Sequence, residues 1–482
     1  MSKWVSSIPD YKQQAKEKLK SLIENFYPDE SESLEPGSLG AGISAKQDTR
    51  DDRLTALISA AAEPLPDFNS SDFGKFFDRF GNRRVVLLGE ASHGTSDFYR
   101  ARAEITKRLI QEHGFNIVAA EADWPDMSAV DRYIRHHSAR VGAEPPFQRF
   151  PTWMWRNTDF ADLVTWMREY NINHVPEKRV GIYGLDMYSM RESMAIVLEY
   201  LDNVDPQAAA EARERYACLM PFVREPSSYG IAVLSGGHKK CEKEVIRQCK
   251  ELLKKRLEYS ALDGYSFFDA NMNAKLVESA EKYYRTMYYG GGKSWNLRDT
   301  HMFDTLEGIL EAMGPESKAI VWAHNSHIGD ARYTDMGIRR QQVNIGQFVK
   351  ERFGDQAALI GFGTHTGTVA AASNWGGPMQ VKKVVPSRED SYEWLCHNTQ
   401  KSRFLLDLTK DKSLNKHLSD PRMERFIGVV YKPETELMSH YSHASLPQQF
   451  DAYVWFDETK AVTPLAPSMI KSGEPETYPF GL

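Results

Sequence analysis

Residues 85–94 read Val-Val-Leu-Leu-Gly-Glu-Ala-Ser-His-Gly. Four apolar residues, the first two β-branched, suit a strand buried on both faces. The run stops at Gly89, and Glu90 and His93 come before a helix-like stretch. A strand that leaves its sheet through glycine and small residues places its next side chains at the carboxyl edge, where open α/β sheets bind ligands. A carboxylate and an imidazole three residues apart at that point are candidates for proton transfer.

Further short apolar runs lie at 116–120, 180–184, 319–323, 358–362, 426–431 and 452–456. Between the first two strands, 98–113 carries Ile105, Leu109 and Ile110 at helical spacing. Strand, helix and strand joined over that length predict a right-handed crossover and a largely parallel sheet. The expected fold is therefore α/β, a central parallel or mixed sheet flanked by helices. The stretch 187–313 is charged, helix-forming and poor in strand signals, and reads as a helical lobe inserted between strands. Within it, the aromatic-rich 283–295 with Gly290, Gly291 and Gly292 reads either as a loop over a cleft or as a helix ending at glycine. The chain accordingly divides into a helix (11–26) and irregular linker over 1–53, a first core part at 54–186, the lobe at 187–313 and a second core part at 314–482.

The 482 residues, 41% of them hydrophobic, are ample for a large core and, at about 150 residues per domain, for two or three domains or one elaborated one. With 60 basic and 66 acidic residues and a net charge of −6, nothing points to nucleic acid or an anionic membrane as partner. Cys218, Cys241, Cys249 and Cys396 are scattered and form no C-x-x-C, which reads as reduced thiols. The first residues lack the apolar core of a secretory signal, and no run reaches the roughly 18 apolar residues of a spanning helix. The expectation is a cytoplasmic protein with a small-molecule partner.

Ionisable residues gather at the ends of five successive apolar runs: Glu90 and His93, then Glu121 and Asp123, then Asp186, then His324 and His327, then His365. Parallel strands would bring them to one rim. Each has a plainer reading. His93 could cap the following helix, Glu90 and Glu121 could bond loop amides, and Asp186 could N-cap the next helix. His324 and His327 share a face only on a helix, and they lack a partner at metal spacing, so no metal and no cofactor is expected. Ser92 adjoins His93, but there is no G-x-S-x-G elbow, no Walker A sequence and no G-x-G-x-x-G after a strand. Arg100, Arg156 and Arg298 are candidates to bind a substrate carbonyl or fix a carboxylate, against the commoner fate of a structural ion pair. Trp155, with Trp153, Tyr288, Tyr289 and Trp295, suggests an apolar pocket wall, or ordinary core.

The chain resembles the erythromycin esterase family. The likeness rests on Leu-Gly-Glu-Ala-Ser-His-Gly-Thr (88–95), Ala-Ala-Glu-Ala-Asp-Trp (119–124), Pro-Thr-Trp-Met-Trp-Arg-Asn (151–157), Asn-Leu-Arg-Asp (296–299) and Trp-Ala-His-Asn-Ser-His-Ile-Gly-Asp (322–330). It is extended by 98–110 and 449–465. The resemblance implies a metal-independent hydrolase that opens a macrolactone with activated water. It makes His93 the general base, with Glu90, Glu121 and His324 beside it as catalytic groups. It leaves Arg100, Arg156, Arg298, His327, Asp123 and Trp155 as expected substrate contacts. Two other readings stay open: a tailoring enzyme (isomerase, cyclase or acyl transfer) on a polyketide-like substrate, and a protein that binds a metal or small molecule.

Overall fold

The structure is a computed structural model that describes residues 40–140 and 145–465. The expected helix at 11–26 lies outside the described residues. Residues 40–53, read as linker, are helical instead, as the first part of Gly40–Ala61. The serine and glycine content that suggested a loop is outweighed there by Ala, Lys, Gln and Arg, which favour helix.

The unit that begins at Asp52 is built on a nine-stranded mixed sheet. Its strands are β1 (Glu63–Pro64), β2 (Val85–Leu88), β3 (Ile117–Asp123), β4 (Gly181–Asp186), β5 (Ala319–Trp322), β6 (Ala357–Ala371), β7 (Gln380–Val384), β8 (Arg403–Asp407) and, after a separate β9 (Arg422–Arg425) and β10 (Tyr441–Ala444) pair, β11 (Ala452–Thr459). The order is β1-β8-β11-β6-β2-β5-β3-β4, with β7 beside β6. Strands β11, β6, β2, β5, β3 and β4 run parallel, while β8 and β7 are antiparallel to their neighbours. The chain moves from β2 one way to β3, then returns through β5 to β6 on the other side of β2. The connections therefore diverge at β2, and the carboxyl end of such a strand is where open α/β sheets bind ligands.

Alternation along the strands fills two cores. Val85 and Leu87 pack on one face with Ala119 and Val321. Val86 and Leu88 pack on the other with Val118, Ile320 and Ile360. Helices cover both faces, which is why β2 reads as continuously apolar. Between β4 and β5 lie Met190–Val204, Pro206–Tyr216, Ser227–Leu234, Glu242–Lys254, Arg256–Thr286 and Gly291–Ala312. At 283–295 the helix-ending reading describes the chain: Arg256–Thr286 tightens into a short 3-10 turn, Gly290 takes φ 127°, and a new helix starts at Gly291. That φ is one an L side chain rarely adopts.

Two expectations are corrected. The apolar run at 426–431 is not a strand but an irregular segment with isolated bridges, Ile427 to Ser92 and Val430 to Ala372. It is buried because it crosses the carboxyl edge of the sheet, not because it joins it. The cysteines are not all thiols: Cys218 and Cys241 form a disulfide with a Cα–Cα distance of 6.0 Å, while Cys249 and Cys396 are free and buried.

Candidate active site

Chain exits from β2, β3, β4 and β5 meet at the carboxyl edge of the sheet. As β2 ends, Glu90 and His93 turn inward, and His93 Nδ1 lies 2.9 Å from Glu90 Oε1. A carboxylate only accepts, so Nδ1 carries a proton, and in the neutral ring the lone pair is on Nε2. The other Glu90 oxygen accepts from Arg102 Nη2 at 2.6 Å. Arg102 comes from the helix Ser96–His113, with its guanidinium 4.6 Å from the ring centres of both Tyr99 and Trp322. Tyr99 in turn donates its hydroxyl to the His93 carbonyl at 3.0 Å.

From the end of β5, His324 caps a four-residue helix, Asn325–Ile328, and its Nδ1 accepts from the Ser326 amide at 3.3 Å. That leaves the proton on Nε2. Burial, and then His93 beside it, hold the His324 pKa well below the usual value, so the ring is neutral. The His93 and His324 ring centres are 4.8 Å apart. Both Nε2 atoms are buried without a hydrogen-bond partner. With both rings neutral, the first is an acceptor and the second a donor.

Beneath this pair, Arg298 from the helix Gly291–Ala312 ties two strand ends together. Its Nη2 donates to Glu121 Oε1 at 2.7 Å and to Asp186 Oδ2 at 2.6 Å, and its Nε lies 3.1 Å from Asp186 Oδ1. Burial would raise Glu121, but His327 and Arg298 outweigh it and hold this carboxylate well below its ordinary range. The second Glu121 oxygen accepts the His324 amide at 2.9 Å. His327 sits 2.9 Å from Asp299 Oδ1 and 3.3 Å from Glu121 Oε1. Against burial, Asp299 and Glu121 raise its pKa to about 9. Arg298 Nη1 also lies 3.0 Å from His327 Nε2, a contact that as a hydrogen bond requires a neutral ring. With two carboxylates against one guanidinium the imidazolium prevails, and that approach is packing. Trp295 covers the ring, 4.5 Å away and within 4° of parallel.

The structure thus brings together Glu90, His93, Glu121, Asp186, Arg298, His324 and His327. The remaining candidates lie elsewhere. Asp123 accepts from the Tyr188 amide at 2.6 Å, from Ser189 Oγ at 2.8 Å and from Arg149, which anchors the segment after β4. Arg100 does not face the rim: its guanidinium sits 4.6 Å from the Phe68 ring, and Arg102 takes the place expected of it. Arg156 is half-buried, with no side-chain partner among the described residues. Trp155 is core, packed on Tyr99, Phe147 and Phe160. His365 bonds Ser387 and stacks on His397 with ring centres 3.7 Å apart. Ser92 Oγ pairs with Thr95 Oγ1, not with a histidine. Arg102, Asp299 and Asn325 were missed, although each stands beside or within a motif already noted. Among the described residues no group of three or more His, Cys, Asp or Glu is placed to hold a metal, and no helix is long and apolar enough to cross a membrane.

The family model for erythromycin esterase matches residues 110–459. The chain belongs to the erythromycin esterase family. Membership supports hydrolase activity. Among curated relatives of this esterase-family chain, the putative hydrolase YbfO of Bacillus subtilis (strain 168) is 22% identical over 83% of this chain and 90% of its own. The erythromycin esterase type II of Escherichia coli is 23% identical over 77% and 91%. Two solved structures share the fold. A Bacillus cereus protein has a TM-score of 0.73 at 20% identity, covering 86% of this chain and 99% of that one. An erythromycin esterase variant, EreC in its open conformation, has a TM-score of 0.59 at 18% identity, covering 83% and 96%.

Proposed function

We propose that this chain opens an ester or macrolactone bond by general-base attack of water, without an acyl-enzyme. The observation that carries the reading is the facing pair of rings. His93 offers a lone pair at Nε2 because Glu90 holds the proton on Nδ1, and His324 offers an Nε2 proton because the Ser326 amide occupies Nδ1. Water placed between them loses a proton to His93 as its oxygen bonds to the carbonyl carbon. His324, neutral, donates to the oxygen on which negative charge develops. The imidazolium formed at His93 is stabilised by Glu90 and returns its proton to the alkoxide as the ester C–O bond breaks.

A positioned base of this kind contributes ~10²–10⁴ in rate. Loss of one donor to an oxyanion costs ~10²–10³. Ser92 has no histidine to activate it, in keeping with direct attack by water. The substrate class is a small ester or lactone, a macrolide or another polyketide lactone among them.

The test is turnover of erythromycin and of p-nitrophenyl butyrate in ¹⁸O-labelled water by wild type and His93→Ala. One labelled oxygen in the acid product and loss of turnover in the variant, with unchanged thermal stability, are expected. Wild-type turnover in His93→Ala would sink the assignment. Conversion without label would point instead to isomerisation, cyclisation or acyl transfer.

A further inference from the structure

The sheet is one rung short where β2 leaves it. Leu88 pairs with Ile360, and the Gly89 amide donates to the Ile360 carbonyl at 2.9 Å. In a parallel ladder the next bond would run from the Phe362 amide to the carbonyl of Gly89. The chain turns away at Glu90 and does not supply it. The Phe362 amide donates instead to Asn325 Oδ1 at 3.2 Å, and Asn325 Nδ2 donates to the Phe362 carbonyl at 2.8 Å. Phe362 and Asn325 are both fully buried. Without the side-chain amide, a backbone N–H and a backbone C=O would be left unpaired out of reach of water.

The same amide explains the glycine. A Cβ on Gly89 would lie 2.1 Å from Asn325 Oδ1, with Ile328 Cδ1 and the Ile360 carbonyl each 3.2 Å away. Meanwhile the Asn325 main-chain amide donates to the Glu90 carbonyl at 2.9 Å. One residue therefore touches three chain segments: the turn that carries Glu90 and His93, the exit of β5 that carries His324, and β6.

We infer that Asn325 is a positioning residue that replaces the missing rung between β2 and β6, that it holds His93 and His324 in mutual register, and that residue 89 is glycine because this amide occupies the Cβ space. The link to turnover rests on the hydrolytic function proposed for the site. The Gly89–Asn325 contact does not. Aspartate at 325 keeps the acceptor and loses the donor, leucine keeps neither, and glutamine is a methylene too long for the rung.

A double-mutant cycle tests this. Asn325→Ala and Gly89→Ala are each expected to lower kcat by about 10²-fold with KM unchanged, the loss expected when reacting groups shift by about 1 Å. The Phe362 amide should exchange faster with solvent in both. In Gly89→Ala/Asn325→Ala the added methyl enters space the amide has vacated, so the pair should resemble Asn325→Ala alone. Asn325→Asp sets an acceptor against the Phe362 carbonyl and a carboxyl beside Glu424, so its kcat should fall at least as far as that of Asn325→Ala. Losses that multiply in the double variant, or an unchanged Phe362 exchange rate in Asn325→Ala, would overturn the contact. An unchanged kcat in Asn325→Ala alongside an inactive His93→Ala would overturn the positioning role. A fully active His93→Ala would refute the hydrolytic function instead, while the cycle, measured as thermal stability, would still decide the contact.

Discussion

Replacing Arg298 with methionine keeps a long side chain and removes the one guanidinium that neutralises Glu121 and Asp186. Both carboxylates are at most 2% exposed and the arginine is 3% exposed, so water replaces little of what is lost. Breaking such a buried set by deleting one partner costs about 3–5 kcal/mol. For a unit of about 430 residues the unfolding entropy is ~0.9 kcal/mol/K, so the midpoint should fall by ~3–6 °C at neutral pH. The pH dependence gives the sharper check. In wild type the folded pKa of Glu121 lies well below its ordinary 4.5, so its stabilisation is present above that value and is lost as pH falls through the folded one. In Arg298→Met, burial is opposed mainly by His327, the carboxyl moves up, and its protonation relieves the penalty as pH drops. Differential scanning fluorimetry of both proteins from about pH 7.5 down to about pH 5 should therefore show a gap that narrows toward acid. A gap that stays constant or widens, or no loss at about pH 7.5, would refute the account of Arg298 as the cation holding two buried carboxylates.

Asp299→Asn should bring the His327 pKa down from about 9, because it removes the strongest charge holding the proton there; an NMR titration of the ring reads this directly. The folded value is above the unfolded 6.5, so His327 stabilises wild type fully below 6.5 and progressively less as pH rises through about 9. The stability of Asp299→Asn should lack that decline. Reduction of the Cys218–Cys241 bond, whose cysteines are 23 residues apart, should cost about 3 kcal/mol. Calorimetry with and without dithiothreitol should show the drop in wild type and none in Cys218→Ser.

The strand ends were legible because each couples a short apolar run to an ionisable residue, and the parallel sheet turns that sequence pattern into a spatial one. Glu90, His93, Glu121, Asp186, His324 and His327 are all found by it. Where the reading went astray, burial had a cause that short-range pattern does not carry. The run at 426–431 is apolar because it passes over Ala91 and Ala372, not because it pairs as a strand. Strand β8 is introduced by Lys401, Ser402 and Arg403, which mask the Phe404–Leu406 core, and β7 is an exposed edge whose Lys382 and Lys383 discourage further pairing. Arg100 and Arg102 lie two residues apart on the helix Ser96–His113 and so point in different directions, and it is Arg102 that faces Glu90. Asp299 and Asn325 gain their roles from partners 28 and 37 residues away, contacts set by packing across the lobe and the sheet.

His93 and His324 present no surface to solvent. The hydrolysis proposed for this pair therefore requires an opening motion before a substrate can reach either ring, and the frequency of that motion would set a ceiling common to reactive and sluggish substrates. Selection among substrates would then fall to the residues that part, while the two rings inside stay as they are.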